Sequence, residues 1–133
     1  MPETLELEVA TPERELVREQ VTEVQVPGST GYFGILPGHA PLVGLLGTGT
    51  LTYDIGGQRR YLAVHQGFLE VAAGHVRVLA NTAEPKEEID VPRARHARQR
   101  SLEECVNPAL GVDPAVALAA LARAQARIDT AER

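Results

Sequence analysis

Residues Gly31 to Pro41 constrain this chain more than any other stretch. They read GYFGILPGHAP, with three glycines and two prolines threaded through Tyr32, Phe33, Ile35 and Leu36. Pro37 and Pro41 have no backbone N–H to give, and the glycines open backbone angles that other residues avoid. No helix forms over such a span. The apolar residues call for burial while the punctuation dictates one backbone path, so the segment predicts a compulsory turn inside a β-rich unit.

The surrounding sequence agrees. Leu5, Leu7 and Val9 alternate with Thr4, Glu6 and Glu8, the period of two that marks a half-buried strand. Val24 and Val26 alternate up to Pro27-Gly28. Leu51, Tyr53 and Ile55 lead into Gly56-Gly57, and a second apolar run follows from Gln58 to Val64. Two glycines between two such runs predict a hairpin. Phe68 to Val71, the turn Ala73-Gly74 and Val76 to Leu79 repeat the pattern. Residues 1 to about 82 therefore read as β, and short strands at regular spacing predict a sandwich or flattened barrel.

The periodicity changes near Glu84-Pro85. Asp90 reads as a helix N-cap with Pro92 in the first turn, and the helix runs from Val91 to Val106. Asn107-Pro108 and Gly111 break it. Asp113-Pro114 opens a second helix over about 115–130. Ala94, Ala97, Leu102, Cys105 and Val106 on the first helix are expected to meet Leu118, Leu121, Gln125 and Ile128 on the second. The fold expected is α+β by segments: an N-terminal all-β sandwich or flattened barrel over 1–84, then an antiparallel two-helix hairpin over 85–133.

Composition narrows the function classes. The chain has 133 residues, no Trp, two Phe and three Tyr, so aliphatic residues fill the core. One cysteine excludes an internal disulfide and a cysteine metal cluster, which fits a reducing compartment. The acidic, alternating opening from Met1 does not read as a signal peptide, and no apolar run nears the ~18 residues of a membrane span. The net charge of −5 divides unevenly: residues 1–90 carry 6 Lys/Arg against 13 Asp/Glu, whereas 91–133 carry 7 Arg against 5 Asp/Glu. Overall acidity argues against nucleic-acid binding.

Most catalytic motifs fail on inspection. Gly47-Thr48-Gly49 lacks the third glycine of a dinucleotide loop and lies among strands. His39, His65, His75 and His96 show no metal spacing, and His65 and His75 read as ordinary strand and turn residues. Ser101 and Cys105 share a helix face near His96 and Glu104 without a nucleophile–base–orienter order. The arginines are different. Arg93 and Arg100 share one face of the first helix with Asp90, and Arg123 and Arg127 lie four apart on the second. If the hairpin turns near Leu110, Arg127 lies level with Arg93 and Arg123 level with Ala97, so arginines of both helices can converge. Alone they repel; around a polyphosphate they make charge-assisted hydrogen bonds. The competing reading is a set of solvated outer faces paired with Glu103, Glu104 or Asp129.

Four segments carry a resemblance: FGILPGHAPL at 33–42, GFLEV at 67–71, VLANTAE at 78–84 and IDVPRA at 89–94. In order and spacing they resemble the epsilon subunit of bacterial F-type ATP synthases, over essentially the whole chain. The resemblance implies a non-catalytic subunit of the rotor stalk. Its β-domain is expected to dock on the gamma subunit and touch the c-subunit ring. Its hairpin is expected to reach the alpha/beta hexamer and restrain ATP hydrolysis. The location implied is the cytoplasmic face of the bacterial cell membrane, peripherally. The rotor-facing end maps to Ser29, Thr30, Gly31 and His39, with Ser29 and Thr30 in a loop where many relatives carry an acid. Gln66 stands where the family commonly has glycine.

The resemblance also implies a regulatory ATP site in the folded hairpin, with no cofactor required. Its motif maps to Ile89, Asp90, Arg93 and Ala94, and its remaining positions to Glu84, Arg100, Arg123 and Arg127. Ile89 and Ala94 are expected near the base, Glu84 and Asp90 as acceptors, and the four arginines on the phosphates. A stand-alone nucleotide-binding protein is the alternative.

Overall fold

The computed structural model describes residues 3–133; Met1 and Pro2, which open the acidic N-terminal segment, lie outside it. Seven strands come first: β1 (Leu5–Ala10), β2 (Glu15–Val21), β3 (Glu23–Gly28), β4 (Gly31–Ile35), β5 (Leu42–Ile55), β6 (Gln58–Ala72) and β7 (His75–Pro85). They hydrogen-bond in the order β2-β1-β7-β6-β5-β3-β4. Only the β1–β7 pair is parallel. The sheet folds over on itself as a sandwich. Leu5, Leu7, Val9, Val17 and Val21 from one end meet Val24, Val26 and Ile35 from the other in a single aliphatic core.

The Gly56-Gly57 hairpin forms as expected, both glycines taking positive φ, 55° and 83°. The strands it joins are much longer than the alternation indicated. They run to 14 and 15 residues, because Gly44, Gly47, Gly49 and Gly67 lie within them and do not end them. Gly47-Thr48-Gly49 is thus mid-strand, in the layer where β3 and β4 cross β5 closely: a Cβ on Gly47 would lie 2.6 Å from the Gly28 carbonyl oxygen. Strand β2 escaped the sequence reading because its burial does not alternate.

The Gly31–Pro41 segment splits into a strand and a turn. Residues 31–35 pair with β3 as the edge strand β4. The His39 N–H then donates to the Leu36 carbonyl at 3.1 Å. Pro37 and Gly38 occupy the corners, and Gly38 has φ 86°, the pattern of a type II turn.

Two helices complete the chain: α1 (Val91–Val106) and α2 (Pro114–Ala131). Asp90 caps α1 by accepting from the Arg93 N–H at 3.1 Å, and Pro92 lies in the first turn, where its missing N–H costs nothing. Asp113 caps α2 through the Ala115 N–H at 2.8 Å. Between them Gly111 turns the chain with φ 75°. The helices pack side by side, and α2 lies on β5 and β6.

Of the expected helix seam, Ala94 and Ile128 are buried as expected, but its larger residues are corrected. Leu102, Val106 and Leu118 are exposed, while Ala94, Ser101, Ala117, Ala124, Ala126 and Ile128 are buried. Small residues let the helix backbones approach each other and the sheet, which turns the leucines outward. Docking of α2 also explains why Leu62, Ala63, Val64 and His65 are all buried in succession. One pair faces the sandwich core and the other faces α2, so this stretch of β6 is covered on both sides.

Candidate functional site: an arginine-lined cleft under the hairpin

Register builds one wall of the site. β5, β6 and β7 place Thr50, Ala63 and Glu84 in one row and Thr48, His65 and Thr82 in the next. α2 lies over these rows, and Thr50 and Thr130 join their buried hydroxyls at 2.8 Å. The opposite wall is α1, set by its Asp90 cap and held close by Ala94 and Ser101.

Between them lies a cleft of about 350 Å³ lined by Glu84, Asp90, Arg93, Ala94, Ala97, Arg100, Ser101, Glu104, Ala120, Arg123 and Arg127. Seven of the eight residues mapped to the ATP motif therefore gather in one place. Ile89 is the exception. It closes the 3-10 turn Lys86–Glu88 through its N–H, 3.3 Å from the Lys86 carbonyl, and is half-buried outside the lining. Ala97, Ser101, Glu104 and Ala120 join the lining although the sequence reading gave them no role at the site.

Four guanidinium groups and three carboxylates line the cleft, a net positive charge. Arg127 Nε is 3.3 Å from Glu84 Oε1, and Arg100 Nε is 4.0 Å from Glu104 Oε1. Among the described residues Arg93 has no carboxylate within ion-pair distance. Of the pairings allowed for these arginines, the one with Glu104 occurs and those with Glu103 and Asp129 do not; Asp129 instead accepts from Gln125 at 2.8 Å. Arg123 likewise has no carboxylate partner among the described residues, and two arginines without a carboxylate beside two loosely held ones are suited to a polyanion.

His65 is the residue that sequence reasoning missed. It is 8% exposed, and its Nε2 lies 3.4 Å from Arg123 Nη1. Burial first, then the charges of Arg123 and Arg127, hold its pKa below the ordinary histidine value. It lines a small pocket of about 70 Å³ that adjoins the cleft through Glu84, Arg123 and Arg127. The only signal in the sequence is the unbroken run YLAVH, too dense for a strand with one wet face.

The residues mapped to the rotor-facing end lie along the edge strand without clustering. Ser29 and Thr30 form the two-residue turn at the Gly28–Gly31 end of β4. His39 follows the other end, roughly 13 Å away along the strand, and its Nδ1 is 2.7 Å from the Ala40 carbonyl.

Comparison with known proteins accounts for both halves. The family model described as the β-sandwich domain of the ATP synthase delta/epsilon chain matches residues 4–86. That of the long α-helix domain of the same chain matches 87–132. An ATP synthase epsilon chain of Solibacter usitatus (strain Ellin6076) is 69% identical over 133 residues, 100% of this chain and 99% of its own. The epsilon chain of Nitratidesulfovibrio vulgaris (strain DP4) is 42% identical over 128 residues, 96% of each. Among solved structures, the cryo-EM structure of Euglena gracilis mitochondrial ATP synthase (OSCP/F1/c-ring, rotational state 1) holds a chain with TM-score 0.86 and 24% identity. It covers 100% of this chain and 84% of that one, a likeness of fold. The sandwich, the docked hairpin and these matches agree: the chain belongs to the delta/epsilon family of ATP synthase subunits, as an epsilon chain, a stalk component that is not itself catalytic.

Proposed function

We propose that this chain couples rotation to ATP synthesis in a bacterial F-type ATP synthase and uses its hairpin as an ATP-sensitive brake on hydrolysis. It works peripherally at the cytoplasmic face of the cell membrane. No helix among the described residues is long and apolar enough to cross a membrane.

The observation that carries the regulatory reading is the cleft. Its arginines come from both helices, and Glu84 comes from the sheet, so the full set exists only while the hairpin is folded and docked. A polyphosphate that binds this set stabilises the docked state by RT ln(1 + [ATP]/Kd), about 2.7 kcal/mol at 100-fold excess over Kd. Little large apolar surface holds the hairpin down, so a shift of that size decides its population. When ATP is scarce the released hairpin extends and meets the alpha/beta hexamer, where its excess of arginine favours an acidic surface.

The coupling reading has its own support. Leu45, Phe68 and Leu79 stand side by side on β5, β6 and β7 and are 58%, 60% and 45% exposed. Val43, 74% exposed, extends the patch. A contiguous apolar patch is an interface waiting for a partner, and we assign it to the gamma subunit. The edge strand with Ser29, Thr30, Gly31 and His39 is assigned to the c-subunit ring.

Calorimetric titration of the chain with ATP tests the sensor, and millimolar ATP without heat removes it. Reconstitution with an epsilon-depleted synthase tests coupling and inhibition. A chain that neither binds gamma nor slows hydrolysis overturns both.

A further inference from the structure

Both ring nitrogens of His65 are engaged. Nδ1 is 2.6 Å from Thr48 Oγ1 and Nε2 is 3.4 Å from Arg123 Nη1. A guanidinium only donates. Nε2 therefore accepts, and Nδ1 carries the proton and donates to Thr48. With the hairpin docked, the geometry requires the neutral Nδ1–H tautomer.

The surroundings oppose a second proton. α2 brings Arg123 and Arg127 to the pocket that His65 lines, β7 brings Thr82 and Glu84, and β6 adds only Ala63 and Val64. From β5 the ring meets the uncharged Thr48. Glu84, the one acid there, is held 3.3 Å from Arg127. The charged groups of α1 line the adjoining cleft, not this pocket. A proton on Nε2 thus deletes the acceptor of Arg123 and sets a third cation beside two arginines.

We infer that His65 is a positioning residue that makes docking of the helical hairpin sensitive to protons: neutral, it holds Arg123 and with it α2 against the sheet; protonated, it expels Arg123 and loosens the hairpin. The lowered pKa of the docked state agrees in sign. A depressed histidine binds its proton more tightly when the hairpin is open. Its contribution to docking is complete well above the ordinary value of about 6.5 and is lost as pH falls below it. A polyanion in the cleft opposes the effect, because it offers Arg123 another partner.

The test uses the full chain without nucleotide, so its outcome is independent of whether the cleft binds ATP. Amide exchange of α2, corrected for intrinsic rates, is followed from pH 8 to pH 5 beside the ring proton of His65 by NMR. We expect protection at Ala124 and Ile128 to fall with pH below about 6.5, by up to about tenfold per unit for one proton. His65→Gln keeps an acceptor for Arg123 but cannot titrate, and is expected to flatten the dependence. Loss of protection at the same pH in His65→Gln, or flat protection while His65 titrates, overturns the inference. Should His65→Gln fail to dock, Arg123→Gln decides: the His65 titration must move up toward the ordinary value, and an unmoved titration overturns the inference.

Discussion

Thr50 of β5 and Thr130 of α2 lie 80 residues apart in the chain and share a 2.8 Å hydrogen bond, with 2% and 0% of their surfaces exposed. This contact ties the last turn of the hairpin to the sheet. Replacing one partner strands the other hydroxyl in a dry interface, at a cost of roughly 1–3 kcal/mol; replacing both removes the unpaired group and comes close to neutral. Thr130→Val is therefore expected to open the hairpin, and Thr50→Val/Thr130→Val to restore much of the docking. A double-mutant cycle on α2 hydrogen exchange measures it, and strictly additive effects exclude the coupling.

Gly67 tolerates no side chain. Its φ is 136°, and a Cβ would collide with the Leu79 carbonyl oxygen on β7. β7 is hydrogen-bonded on both sides, to β6 and β1, and cannot withdraw. Gly67→Ala is expected to destabilise the sandwich by about 2 kcal/mol or more, combining backbone strain with displacement of a central strand. Urea denaturation reads the change directly.

Gln66, beside it, is the one non-glycine with positive φ among the described residues, at 54°. A left-handed conformation costs a side-chain-bearing residue roughly 1–2 kcal/mol, part of which glycine returns in chain entropy. Gln66→Gly should raise stability by about 0.5–1 kcal/mol, seen as a higher melting temperature. A drop would mean that the Gln66 side chain contributes more than its backbone strain.

Arg93 and Arg127 should separate binding from folding. Arg93 has no carboxylate partner among the described residues, so Arg93→Ala should change ligand-free stability by less than about 0.5 kcal/mol. On the proposed ATP site, it should still abolish the rise in melting temperature expected with ATP. Arg127→Ala loses its Glu84 contact as well, but that pair is about one-third exposed, so the added loss stays below about 1 kcal/mol. Thermal scans with and without millimolar ATP distinguish the two.

Phe68 is proposed to act outside the folded chain. At 60% exposed, it gives the sandwich only its cross-strand neighbours Leu45 and Leu79. Phe68→Ser should cost less than about 1 kcal/mol of stability yet weaken gamma binding tenfold or more. Equal affinity of the variant and the parent chain would move the gamma interface elsewhere.

The helix caps, the Gly56-Gly57 hairpin and the turn at Pro37-Gly38 were legible from the sequence because each is a local device. Asp90 and Asp113 satisfy N–H groups within three residues of themselves, and a proline followed by a glycine selects its own turn. The alternation of Leu5, Leu7 and Val9 likewise reported one buried face. Helical spacing and a turn near Leu110 also allowed arginines of the two helices to meet, but left solvated outer faces open as well. Tertiary structure decided what depends on distant surfaces. Burial of Leu62 to His65 on both faces requires α2, which begins some fifty residues later. The outward turn of Leu102 and Leu118 follows from how closely alanines let three backbones approach. The role of His65 depends on β5, β6 and α2 meeting at one point, and no spacing along the chain encodes that meeting.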